Sequence, residues 1–231
     1  MTEGLFIAQA VPYTFRWDAL IPYARMFAEG LLVTFEVSVV AEIIGIGCGL
    51  TSGLARLSRF QAVQKIAIGY IDFFRGIPLL VTLVWIYYGV ALLFGINISA
   101  FIAGVSGLGI TYGAYLGEVF RAGVQAIPKG QTEAAFTLGL SRRKIMQHVI
   151  LPQALRIVFP PLANSFIGML KDSSLVAILA VTDLMRVGMI VAADTFRAFE
   201  AYTCVAVIYY IATLATARLA TIIEKRYSIP H

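Results

Sequence analysis

Four consecutive polar residues, Lys171, Asp172, Ser173 and Ser174, interrupt a long apolar run. An ammonium beside a carboxylate complements the two charges of a zwitterion. Successive helical residues point about 100° apart, so only one of Lys171 and Asp172 faces a given path. Lys171 is the candidate partner for a carboxylate. A purely structural Lys–Asp pair to a neighbouring helix is the competing reading. Lys171 with Ser173 or Ser174 also has the composition of a base–nucleophile pair. Residues two or three apart rarely meet with useful geometry, and no oxyanion arrangement is readable. Glu36 and Glu42 lie in another apolar run without a basic residue at helical pairing distance. Either lines a cavity or meets Lys171 or an arginine from another helix, and Glu36 is the candidate for an amine. Glu118 with Arg121, and Asp72 with Arg75, stand three apart and can pair on one helix face. Cys48 and Cys204 sit in apolar runs, where a small-residue role outweighs a disulfide or a metal.

A second constellation is wet. Within 127–152 lie Lys129, Glu133, Arg142, Arg143 and Lys144, with apolar residues on both sides. Glu and Ala favour helix over 132–138. Gly139 ends it, because glycine takes the positive φ of a helix C′ position. Ser141 can cap a second helix from Arg142, and Pro152 ends the unit or opens the next helix. The stretch reads as a short helix–turn–helix outside lipid, or as an amphipathic loop lying on the lipid surface.

The elements that hold these residues must cross a membrane. The chain is 59% hydrophobic and 13% charged, about half the charge of a soluble domain. A crossing helix needs about 20 apolar residues. The expected spans are 27–54, 66–95 with a kink at Pro78, 100–126, 160–179 after a restart at Pro160, and 202–222. Residues 183–200 form a mixed-charge loop. A helix restarting at Pro160 puts Lys171 about 16 Å in, near mid-bilayer. Residues 1–26 read as an interfacial or periplasmic segment, 27–226 as one transmembrane domain and 227–231 as a tail. The first apolar run is too long for a signal-peptide core, so no cleaved signal is expected. The net charge of +5 lies in loops between spans, which suits topology better than a nucleic-acid footprint. Arg56, Arg59, Lys65, the 127–152 loop and the C-terminal basic residues share one side. The positive-inside rule puts that side in the cytoplasm and the N-terminus outside. No phosphate loop of the type G-x-x-x-x-G-K-[ST] occurs.

Glu133-Ala134-Ala135, three residues, Gly139, nine residues, then Val149-Ile150-Leu151-Pro152 resembles the coupling loop of bacterial ABC importer permeases. The family usually has Ile at the position of Val149. The stretches 114–131 (A-Y-L-G-E-V-F-R-A-G-V-Q-A-I-P-K-G-Q), 74–81 (F-R-G-I-P-L-L-V) and 170–175 (L-K-D-S-S-L) resemble its polar amino-acid branch, which carries histidine-, glutamine- and arginine-type permeases. Family members often have Gln at the position of Thr82 and Trp at that of Thr132.

The resemblance implies an all-α membrane protein of the type I ABC importer permease fold, with about five transmembrane helices and a cytoplasmic coupling helix. Gln131, Glu133, Ala134, Ala135 and Gly139 would contact the ATPase. Lys171, Asp172, Ser173 and Glu36 would border the substrate path. The chain would be a transport subunit of the bacterial inner membrane, holding no cofactor, with ATP and Mg on the partner ATPase. Its partners would be a second permease, identical or homologous, two ATPase copies, an amino-acid-binding protein and membrane lipid. The alternative is an ion-coupled secondary transporter or channel. Inverted repeats, or a discontinuous charged helix in each half, would favour it, and neither is visible.

Overall fold

In lipid a spanning segment must satisfy its own backbone groups, which leaves helices as the solution for separate apolar runs. The computed structural model describes residues 13–227, and every regular element in that range is helical. Residues 1–12 of the expected N-terminal segment and 228–231 of the tail lie outside the described residues. A 3-10 turn, Trp17–Tyr23, leads into α1, Ala24–Arg56. α2, Gln61–Gly76, α3, Leu79–Phe94, and α4, Ala100–Gln125, follow. α5, Lys129–Thr137, is short. Next come α6, Arg142–Ile145, α7, Leu151–Asp172, α8, Leu184–Thr195, and α9, Ala198–Tyr227.

α1 and α4 pack along most of their length. A Cβ added to Gly53 would lie 2.6 Å from the carbonyl oxygen of Gly117, so only glycine permits this approach. Gly45 faces Gly109 and Gly113, Gly49 faces Leu116, and Gly53 faces Gly117 and Phe120. The numbers rise together, so α1 and α4 run in the same direction. α2 and α3 must therefore carry the chain back across. With α1, α4, the α7 column and α9 long and apolar enough to cross, the described residues make five crossings.

The expected kink at Pro78 is a full break. α2 and α3 meet at 107°, because Ile77 and Pro78 are both extended, with ψ of 137° and 134°. Proline clashes with a helical residue before it as well as lacking its own N–H. Two extended residues in a row then turn the chain. The expected restart at Pro160 does not occur. α7 runs through Pro160 and Pro161, and a π turn, Met146–Ile150, joins it to α6. The second helix of the 127–152 unit is therefore no short helix. Nor does Pro152 end that unit. It opens α7 directly after the π turn, the second of its two expected places. The carbonyls freed by Pro160 and Pro161 belong to exposed Arg156 and Ile157. These lie beside Val158, which packs on Gly123 near the end of α4.

The expected charged loop 183–200 is mostly α8. Asp183 caps it, accepting the N–H groups of Arg186 at 2.9 Å and Met185 at 3.3 Å. In this turn between crossings, burial pushes the Asp183 carboxyl up to about 6 against the lowering effect of those bonds. Two cores result. Val37, Leu83, Leu108, Met169 and Val176 fill the centre of the bundle. Phe27, Leu184, Val187 and Ala201 join α1, α8 and α9 at the end remote from α5.

Candidate substrate cavity and coupling surface

The break at Ile77–Pro78 opens a cavity of about 440 Å³, within the size range of small-molecule sites. α2 supplies Arg75 and α4 supplies Thr111, Tyr112 and Tyr115, while α7 supplies Asp172. Tyr112 stands at the middle of α4, so the cavity lies halfway along a crossing helix. The Tyr112 hydroxyl donates to Asp172 Oδ2 at 2.8 Å. The Arg75 guanidinium lies 5.3 Å from the centre of the Tyr115 ring, a cation–π distance. The expected pair between Arg75 and Asp72 is not formed. Near the end of α2 the arginine reaches α4 instead, and Asp72 is exposed. Among the described residues neither Arg75 nor Asp172 makes an ion pair. The buried Thr111 hydroxyl has no hydrogen-bond partner. One wall therefore offers a cation, an anion and a free hydroxyl, a set that matches a carboxylate, an ammonium and a polar side chain.

Lys171 points elsewhere. It lines a separate, mainly apolar cavity of about 440 Å³ with Ser174, Met185, Tyr202, Val205 and Tyr209. The structure thus divides the adjacent Lys171 and Asp172 between two spaces, as the helical angle requires. Ser173 is buried, and its hydroxyl donates to the Leu170 carbonyl at 2.8 Å. Glu36 is exposed on α1, away from both cavities, whereas Glu42 is buried with one carboxylate oxygen unpartnered. A further cavity of about 620 Å³ lies between the first turn, α1 and α9 and is almost wholly apolar. Its lining offers no charged group.

At the opposite level stands α5. Its C-terminus is a Schellman motif: the Gly139 N–H donates to Phe136 O at 2.9 Å, and Leu140 N–H to Ala135 O at 3.2 Å. Gly139 has φ of +73°. Ser141 caps α6 by accepting the Lys144 N–H at 3.5 Å. Ala135 is buried where α5 packs on α6 and the π turn. Gln131, Glu133, Ala134 and Gly139 face outward. Phe136 and Leu138 stand beside them, 46% and 79% exposed, an apolar patch on a polar unit. Residue-by-residue reading overlooked this pair, and it overlooked Arg75, Tyr112 and Tyr115 as cavity residues. Arg75 carried the available signal, an arginine two residues before an X-Pro break in an apolar run.

The chain matches the family described as "Binding-protein-dependent transport system inner membrane component" over residues 45–229. It is 37% identical over 205 residues to the putative glutamine transport system permease protein GlnP of Rickettsia felis, covering 89% of this chain and 94% of that one. It is 35% identical over 210 residues to the arginine transport system permease protein ArtQ of Bacillus subtilis, covering 91% and 96%. A chain from a solved structure, "Crystal structure of an amino acid ABC transporter with histidines", superposes with a TM-score of 0.87 at 40% identity. That match covers 93% of this chain and 100% of the other. The chain thus belongs to the binding-protein-dependent transport system inner membrane component family, as a permease subunit of an ABC amino-acid importer.

Proposed function

We propose that this permease carries a polar amino acid inward, holding it in the cavity between the α2–α3 break, α4 and α7. The observation that carries this reading is the unpaired Arg75 and Asp172 in one cavity at mid-helix. Arg75 takes the substrate carboxylate, with Lys171 left to the neighbouring space, and Asp172 with Tyr112 takes the ammonium. Relatives named for glutamine and for arginine keep the class at polar amino acids, neutral or cationic. The loop with Arg142, Arg143 and Lys144 lies in the cytoplasm and the N-terminus outside.

α5 seats on a separate ATPase, which binds ATP and Mg, and the exposed Phe136 and Leu138 strengthen that contact. Five helices enclose little space, so a second permease completes the path, above two ATPase copies. A binding protein delivers the substrate from outside. The test is uptake of labelled glutamine and arginine into proteoliposomes holding the assembled subunits. ATP-dependent uptake that requires the binding protein is expected. Uptake driven by an ion gradient without the ATPase overturns the reading.

A further inference from the structure

A run of side-chain bonds joins the last residue of α1 to the last residue of α4. Arg56, which closes α1, pairs with Glu118 of α4 through Oε1. The other carboxylate oxygen of Glu118 accepts Arg121 Nε at 3.0 Å and Nη2 at 2.8 Å. Arg121 Nη1 then donates to Gln125 Oε1 at 2.5 Å. Gln125 ends α4, and only Ala126, Ile127 and Pro128 separate it from α5. That link is itself bonded: Ala126 N–H donates to Ala122 O at 2.9 Å, and Gln131 N–H to Pro128 O at 3.0 Å. The three charged side chains are 22–28% exposed, so their attraction is screened less than that of a surface pair.

Adhesion does not explain this run. The glycine contacts already bring α1 onto α4, with Gly53 seated against Gly117 just before Arg56 and Glu118. That seam interlocks through Ile44, Cys48 and Ser52 of α1 against Gly109, Gly113 and Gly117 of α4, and resistance to sliding at the helix ends beyond it must come from other groups. Directional bonds between charged groups supply that resistance. We infer that Arg56, Glu118, Arg121 and Gln125 form a strut, which makes the ends of α1 and α4 follow α5 as one body. These are positioning residues for transport, and the inference rests on the reading of α5 as the coupling helix.

The test uses the complete importer with its ATPase and binding protein, Cys48 and Cys204 replaced by Ser. Spin labels are placed at Ser58→Cys and Lys129→Cys. Amino acid imported per ATP hydrolysed is measured alongside the label-to-label distance, with and without ATP. With the native strut the distance distribution stays narrow in both states. Arg56→Met assembles and hydrolyses ATP, yet imports about fivefold less per ATP, the equivalent of one lost partly sheltered ion pair. Its distance distribution broadens on ATP binding. Arg56→Lys, which keeps the charge, restores both readouts. Should Arg56→Met fail to assemble, the isosteric Glu118→Gln is read in the same way. An unchanged import ratio and an unchanged distance in the assembled variant overturn the strut. Absence of ATP-driven import with the native strut overturns the coupling reading instead.

Discussion

Arg75 and Asp172 line one cavity without forming an ion pair, and each is engaged by a different tyrosine of α4. Tyr115 lies 5.3 Å beneath the guanidinium, and Tyr112 holds the carboxylate at 2.8 Å. Two opposite charges kept apart in a cavity remain available to a zwitterion, whereas a closed salt bridge would have to be broken first. The Tyr112 and Tyr115 rings stand 6.4 Å apart on successive turns of one face of α4, which fixes that separation.

Removing one of these charges leaves a substrate charge unmet. Arg75→Met and Asp172→Asn are each expected to lower uptake about 10- to 100-fold, the range for a lost charge-assisted hydrogen bond. Lys171→Met faces another cavity and keeps uptake within about twofold, an ordinary surface-substitution effect. Initial uptake rates in proteoliposomes decide this. Equal losses in Lys171→Met and Arg75→Met would return the carboxylate to Lys171.

Gly139 sits at φ +73° on the exposed end of α5. Gly139→Asp tolerates that backbone at a cost of about 1 kcal/mol, and it places a carboxylate on the proposed ATPase contact. The complex is expected to assemble and hydrolyse ATP with uptake uncoupled. Uptake at the native rate would contradict the assignment.

Gly53 has no room for a side chain, whereas nothing lies within 4 Å of a Cβ at Gly47. Gly53→Val should destabilise the bundle by about 1–3 kcal/mol, the usual cost of overpacking, while Gly47→Ala should leave it unchanged. Thermal aggregation followed by size exclusion distinguishes the two.

Asp183 is an acid whose folded value, about 6, lies above the ordinary 3.8. Its contribution to stability is therefore present below about pH 4 and is lost as pH rises through 6. Asp183→Asn keeps an N-cap acceptor but does not titrate. The melting temperature of Asp183→Asn relative to the native protein is expected to climb between pH 4 and 7. A constant difference across that range would refute it.

Much of this architecture was legible in the chain. Apolar runs marked the crossings, because a separate apolar run in lipid satisfies its own backbone only as a helix. Gly139 and Ser141 marked the ends of α5 and α6, because local chemistry sets caps. Proline was legible only as a disturbance. Pro78 breaks its helix, with Ile77 and Pro78 both extended, and Pro160 does not. The partner of Arg75 was not legible either, because Tyr115 is distant in sequence and arrives through the packing of α2 on α4. Lys171 drew notice by its charge, yet the rotation of α7 turns Asp172 into the polar cavity.

The continuous column from α6 through the π turn and α7 carries Arg142, Arg143 and Lys144 at one end and Asp172 at the other. From Arg142 to Asp172, a rise of 1.5 Å per residue gives it a length of about 45 Å. A tilt of about 5° at its foot then swings the Asp172 end by about 4 Å over that 45 Å arm, more than the length of a hydrogen bond. A small rocking movement at one end would therefore displace Asp172 within its cavity, with no local refolding.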